Sequence, residues 1–311
     1  MKTSTVADAK PEREPVTIGS LLNEYYELTK PRVVGLIMFT AIVGMFLATP
    51  GMVPIDVLIL ATIGIGLAAA SGAAMNQILD RDADSKMKRT RNRPLPSGNL
   101  NALQAMIFAC VLSMVAMLIL AIWINTLTAI LTFASMVGYA VIYTVFLKRA
   151  TPQNIVIGGA AGAMPPVLGW TAVTGEIASD ALLLFLIIFC WTPPHFWALA
   201  LYREKEYAKV GIPMLPVTHG RKFTQLFIVC YTVLLTAVSI MPFATHMSGY
   251  PYLIGAIILN SMFLYYAIAL YRNYSDQLSR KTFFFSIQYL ALLFGLMLLD
   301  HYRGYFVFWM S

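Results

Sequence analysis

Charge is what this 311-residue sequence has least of. Only 12% of it is Asp, Glu, Lys or Arg, and 59% is hydrophobic, with a mean hydropathy of +0.70. A soluble domain carries about 25% charged residues, so a packed water-soluble core is excluded. Cysteine is nearly as scarce. Cys110, Cys190 and Cys230 each stand alone in an apolar run, with no metal spacing and no disulfide framework. They read as small buried hydrophobes. Residues 1–20 lack a basic start followed by a short apolar run, so they do not resemble a cleaved signal peptide. A disordered polar tail over 1–20 and a single transmembrane domain over 21–311 are expected.

Long apolar runs fill the rest. Spanning a ~30 Å hydrocarbon core takes about 20 helical residues. Nine runs approach or exceed that length: 33–47, 53–79, 102–122, 126–147, 154–173, 181–202, 223–243, 250–271 and 283–299. The first is short and extends back towards Pro31. The expectation is an all-α polytopic membrane protein, a bundle of nine transmembrane helices. Basic residues in short loops stay on the cytoplasmic side. With nine spans, 21 of the 22 Lys and Arg residues fall on one face, and only Arg303 falls on the other. The N-terminus is therefore expected in the cytoplasm and the C-terminus outside. The net charge of +7 follows from this segregation and requires no nucleic-acid partner.

Two inside loops are long, 80–101 and 203–222. Each begins with carboxylates and continues into basic residues. Function concentrates in such loops when a rigid scaffold carries them.

The first follows NQILDRDAD at 76–84. If the second span continues past Leu79, Asn76, Asp80 and Asp84 recur every fourth residue and share one helix face. Asp82 points elsewhere. Carboxylates four residues apart repel, more so at a membrane boundary. Asn76, Asp80 and Asp84 are hard oxygen donors suited to Mg2+, which keeps waters and binds substrate phosphates. Downstream lie Lys86, Lys88, Arg89, Arg91 and Arg93, and the fourth span ends at Lys148 and Arg149. Arg forks and Lys point charges bind phosphate oxygens. Carboxylates, a metal and a basic cluster together make a candidate diphosphate clamp. The plainer reading of the basic run is positive-inside charge at a helix end.

The second motif is WTPPHFWALALYREKEY at 191–207. On one continuous helix, His195, Leu199, Tyr202 and Glu206 form a stripe. Pro193 and Pro194 are expected to kink that helix and free carbonyls near His195. An ionisable residue inside a span is a functional candidate, and His195 suits a metal, a haem iron or a proton transfer. Its plain alternative is a histidine hydrogen-bonded between helices. Tyr202 suits a phosphate hydrogen bond and Glu206 a metal. Lys30 and Arg32, just before the first span, suit a propionate or a phosphate, or serve as interface anchors.

NxxxDxxxD at the end of the second span, with a polar motif ending the sixth, resembles the UbiA superfamily of intramembrane prenyltransferases. LTKPRV at 28–33, MKRTRNRPLPSG at 87–98, YTVFLKR at 143–149, GGAAGAMPPVLGW at 158–170, WTPPHFWALA at 191–200 and GIPMLPV at 211–217 narrow the resemblance to its haem-farnesylating branch. The resemblance covers about residues 20–300. It implies a nine-helix bundle and transfer of farnesyl from farnesyl diphosphate to the 2-vinyl group of haem b, giving haem O for haem-copper oxidases. It also implies Mg2+ on Asn76, Asp80 and Asp84, with Glu206 as a further metal ligand. A bacterial inner membrane, a cytoplasm-facing site and a downstream haem-modifying enzyme as partner follow from it. Many relatives carry DxxxD where this chain has Tyr202 and Glu206, which leaves a second metal site in doubt. The competing readings are prenylation of a phenolic or quinone-type ring, and transport of haem. Transporters gather polar residues near mid-membrane, whereas here they gather at one face.

Overall fold

Backbone N–H and C=O groups find no water in a bilayer, so long apolar runs close their hydrogen bonds internally as helices. The computed structural model describes residues 17–303, and every regular element among them is helical. Eight of the helices are long and apolar enough to span a membrane. The bent pair α1 (Ile18–Leu28) and α2 (Pro31–Leu47), joined at 51°, makes a ninth. Residues 1–16 of the expected polar tail lie outside the described residues. Residues 18–20, assigned to that tail, instead form the first turn of α1.

The second span, α3 (Ile55–Lys86), is 32 residues long, roughly 48 Å at helical rise. That exceeds a ~30 Å hydrocarbon core, so the helix runs on past Leu79 as the spacing of Asn76, Asp80 and Asp84 requires. After it come the short α4 (Pro94–Ser97), α5 (Ala102–Ile119) and α6 (Thr126–Val137). Both α5 and α6 end in wider π-helical turns, Leu120–Ile124 and Gly138–Leu147. Lys148 and Arg149 lie in the next turn, α7 (Lys148–Ala150). The fifth span is broken at Met164 into α8 (Asn154–Ala163) and α9 (Pro165–Thr174).

The sixth span, α10 (Ser179–Tyr202), contains Pro193 and Pro194 and differs from expectation at its end, for it stops at Tyr202. Arg203 has φ −110° and ψ 11°, and a separate short helix, α11 (Glu204–Lys209), begins after it. Glu206 is therefore not on the His195–Tyr202 stripe. The last three spans are α12 (Leu215–Ala244), α13 (Tyr250–Arg272) and α14 (Asp276–His301). Within α12, Gly220 at φ 81° separates a first turn from the span proper.

Small residues let helices approach closely in a membrane. A Cβ on Gly169 of α9 would fall 2.0 Å from the Ala41 carbonyl oxygen of α2, and one on Gly44 would fall 2.3 Å from the Pro166 carbonyl oxygen. Polar side chains bind α12, α13 and α14 together. Tyr252 donates to the Ser239 carbonyl at 2.6 Å, Asn260 donates to the Ser239 hydroxyl at 2.8 Å, and Tyr289 donates to Asn260 Oδ1 at 2.8 Å. At the pole away from Asp80, the end of α14 clasps the α2–α3 connection. His301 Nε2 bonds the Thr49 carbonyl at 2.9 Å, and the Tyr302 hydroxyl donates to the Gly51 carbonyl at 2.8 Å and the Phe46 carbonyl at 3.3 Å. Of the cysteines, only Cys190 is buried. Cys110 and Cys230 sit on the outer surface of the bundle, where lipid rather than a protein core surrounds a small apolar side chain.

Because Gly169 meets backbone rather than a flexible side chain, Gly169→Ala forces α2 and α9 apart. A destabilisation of roughly 1–3 kcal/mol is expected, read as a lower unfolding temperature of the detergent-purified protein. An unchanged temperature would show that the crossing yields without cost.

Candidate active site

Asn76, Asp80 and Asp84 are all buried on one face of α3. Asn76 Nδ2 donates to Asp80 Oδ2 at 2.9 Å and to the Thr144 hydroxyl at 3.2 Å. Buried carboxylates need counter-charge, and three cations from three segments supply it. Lys30 Nζ donates to Asn76 Oδ1 at 2.5 Å, Lys148 Nζ to Asp80 Oδ2 at 2.5 Å, and Arg93 to Asp84 Oδ2 at 2.6 Å. Lys30 is also within electrostatic reach of Asp80, Asp84, Arg93 and Lys148.

Local structure aims each of these cations. Lys30 caps α2 at φ 52° and ψ 59°, a left-handed conformation that is uncommon for a side chain of its size. Pro31 stiffens the turn after it. Gln77 of α3 donates to the Glu27 and Leu28 carbonyls at 3.2 and 3.0 Å, which pins the elbow beside Asn76. Lys148 follows directly on the π-helical end of the fourth span. Arg93 leads into α4, and the Thr90 hydroxyl ties its loop to the Asp84 carbonyl at 2.9 Å.

The remaining basic candidates, Arg32, Lys86, Lys88, Arg89, Arg91 and Arg149, are exposed. Asp82 is exposed too, beside Arg81. Lys148 and Arg93 thus pair with the two carboxylates, and Lys30, bonded to Asn76, adds a further basic group beside them. Oδ1 of Asp80 and Oδ1 of Asp84 have no hydrogen bond or ion pair among the described residues. Two free carboxylate oxygens on one face, beside an amide, fit a hard divalent cation such as Mg2+. No group of three or more His, Cys, Asp and Glu side chains gathers among the described residues, so the two aspartates have Asn76 and no third acid beside them.

His195 is buried on α10, with its ring between two aromatic faces. Trp191 stacks at 4.3 Å and 18°, and Phe283 of α14 at 4.6 Å and 25°. His195 Nδ1 lies 2.6 Å from the Ser286 hydroxyl. Tyr202 is partly buried, with Phe283 on its edge and the Arg203 guanidinium 5.4 Å from its ring. Glu206 is held by Arg203 at 2.5 Å, and its Oε2 is buried without a hydrogen-bond partner.

The two motifs converge through their loops. Met87, from the end of α3, packs in one apolar cluster with Tyr207, Ile212, Met214 and Leu215 of the second loop. Burial raises the Tyr207 phenol above its ordinary value, and Arg89, Tyr202, Arg203 and Glu206 all act on it. Tyr143 in turn is within electrostatic reach of Tyr207 and Asp80, and its ring stacks on Tyr139 at 5.7 Å. Glu206 does not form one cluster with Asp80 and Asp84 among the described residues. Sequence reasoning missed Thr144, Tyr139, Tyr207 and Ser286. The motif YTVFLKR holds Tyr143, Thr144 and Lys148 together, but only the packing shows that they face α3.

The UbiA prenyltransferase family model matches residues 37–290. A protohaem IX farnesyltransferase from Nitrosospira multiformis is 60% identical over 284 residues, 91% of this chain and 95% of that protein. Among solved structures, a digeranylgeranylglyceryl phosphate synthase is similar with a TM-score of 0.76 at 20% identity, covering 91% of this chain and 99% of that one. A UbiA homologue from Archaeoglobus fulgidus bound to DMAPP and Mg2+ is similar with a TM-score of 0.59 at 14% identity, covering 88% and 99%.

Breaking a buried ion pair strands the remaining charge. Arg93→Ala is expected to destabilise the protein by on the order of 3 kcal/mol, whereas Arg91→Ala on the exposed side of the same loop is expected to cost about 0.5 kcal/mol or less. Thermal unfolding of the two variants compares them, and equal losses would mean that Asp84 does not depend on Arg93.

Proposed function

The chain belongs to the UbiA prenyltransferase family, and from that membership and the site's charges we infer that it transfers the farnesyl group of farnesyl diphosphate to protohaem IX. The chain is an integral membrane enzyme, and its product is haem O. The observation that carries the mechanism is the buried Asn76–Asp80–Asp84 face with Lys30, Lys148 and Arg93 turned onto it.

Asn76, Asp80 and Asp84 are the residues that would hold Mg2+, with Glu206 as a further acid in the second loop. A bound Mg2+ neutralises charge on the departing diphosphate. Lys30, Lys148 and Arg93 bind the phosphate oxygens and share that charge as the C–O bond breaks. Lys86, Lys88, Arg89, Arg91 and Arg149 surround the entrance and attract the anion. The bond's electron pair leaves with diphosphate. The haem 2-vinyl group attacks the allylic carbon, water adds to the resulting cation and a proton is lost, leaving a hydroxyl. The stacked rings of Tyr139 and Tyr143 offer π-faces to the allylic cation. Tyr202 donates to a phosphate oxygen. His195 handles the haem, and Arg32 meets a propionate from the rim.

The site is at the cytoplasmic face of a bacterial inner membrane, since that pole collects the basic residues. Apolar farnesyl and haem reach it from the bilayer, and diphosphate leaves to water. A haem-modifying enzyme of the same pathway takes up the product. Mg2+ beside a prenyl diphosphate in the Archaeoglobus fulgidus homologue supports the metal assignment.

Incubating the purified enzyme with farnesyl diphosphate and Mg2+, and with haem b or 4-hydroxybenzoate, tests the acceptor by mass spectrometry. Farnesylated haem is expected and prenylated hydroxybenzoate is not; the reverse result would assign an aromatic-ring prenyltransferase. Asp80→Ala is expected to lower turnover by roughly 10²-fold or more while membrane insertion is retained. Full turnover in the folded variant would remove the metal clamp.

A further inference from the structure

His195 packs against three aromatic rings, with Phe196 edge-on at 5.0 Å, and one of its ring nitrogens is held. Trp191 covers one face, Phe283 covers the other, and Nδ1 is held by Ser286. Ser286 is fully buried on α14. Its hydroxyl also lies 2.6 Å from the Phe283 carbonyl oxygen. A carbonyl oxygen only accepts, and a serine has a single hydroxyl proton. If that proton pointed at His195, two lone-pair oxygens would face each other at 2.6 Å. The proton therefore goes to Phe283, and Ser286 Oγ must accept from His195. That requires the proton of the neutral imidazole to be on Nδ1. Nε2 then carries a bare lone pair; it takes no hydrogen bond among the described residues and is not one of the fully sealed polar atoms.

We propose that Ser286 is a positioning residue: it fixes the tautomer and direction of His195 so that Nε2 is presented to the iron of the haem substrate. The proposal rests on the reading of His195 as the haem-handling residue and adds the atom and the device that orients it. Imidazole nitrogen is a good ligand for iron. Histidine ligands are held in this way by a partner on the other ring nitrogen, and loss of such a partner costs 10–100-fold in metal affinity. The geometry is also stiff. Trp191 Nε1 donates to the Ser286 carbonyl at 2.7 Å, so the same residue of α14 anchors both the histidine and the ring stacked on it. One turn and more away, Ser279 donates to the Ala198 carbonyl at 2.7 Å and fixes α10 against α14 in register.

The test titrates ferric haem b into the full-length purified protein and follows the Soret band, with farnesyl diphosphate binding as the check that the other half of the site is intact. Ser286→Ala is expected to weaken haem binding about tenfold and lose the imidazole-type spectrum, with farnesyl diphosphate binding unchanged. Ser286→Thr, which keeps a hydroxyl, is expected to stay within about threefold of the parent. If His195→Ala loses haem binding but Ser286→Ala does not, the positioning role is overturned while the haem role of His195 stands. If His195→Ala binds and turns over haem as the parent does, the reading of His195 itself fails. Nitrogen NMR of histidine-labelled parent protein, with the His195 signal assigned by its loss in His195→Ala, decides the tautomer without relying on any variant's packing. A proton on Nε2 would overturn the proposal.

Discussion

The pairing of α3's buried Asn76, Asp80 and Asp84 with Lys30, Lys148 and Arg93 is the interaction on which the catalytic pole depends. Two carboxylates out of water on one helix face are costly alone, and each cation that offsets them arrives from a different part of the chain. This explains three features that otherwise look unrelated. The left-handed residue at the elbow, the widened helix ending before Lys148 and the tethered loop before α4 each deliver one positive side chain to the same face. The site is thus organised around charge before any substrate enters, and the extra basic group of Lys30 favours an anion. A preorganised arrangement of this kind avoids reorganisation when the leaving group develops charge.

The second half of the site follows a different chemistry. Around His195 there is no ion pair among the described residues, only aromatic faces and a hydroxyl. Hard oxygen donors and cations on α3 suit a phosphate, and a nitrogen between rings on α10 suits a flat, apolar acceptor. The two halves belong to helices far apart in sequence, and Met87 and Tyr207 join their loops in one apolar cluster. That cluster is the structural link between donor and acceptor sides.

Much of this was legible in the sequence because membrane burial simplifies the code. Apolar run length gave the spans, and the four-residue spacing from Asn76 to Asp84 placed three oxygens on one face once α3 was seen to outrun the bilayer. What failed was local. Glu206 follows His195 by eleven residues, and a helical stripe was the natural extrapolation, but Arg203 leaves helical geometry and starts a new turn. The long-range partners were beyond reach. Nothing in the basic run separates Arg93 from Arg91, and a serine in an apolar helix carries no sign that it holds a histidine on another one. Both choices are made by packing, which spacing does not encode.

The clasp opposite the catalytic pole distributes mutational tolerance unevenly. The hydrogen bonds that His301 and Tyr302 send across go to main-chain oxygens, those of Phe46, Thr49 and Gly51, and the Phe46 ring meets the Tyr302 ring edge-on at 6.1 Å. Any amino acid presents the same carbonyl, so these hydrogen bonds leave positions 49 and 51 free to drift as long as the chain path is kept, whereas position 46 also supplies a ring. The two donating side chains have no such freedom. The polar part of the closure between first and last spans therefore rests on two side chains on one side of the joint, met on the other by carbonyls and by the Phe46 ring.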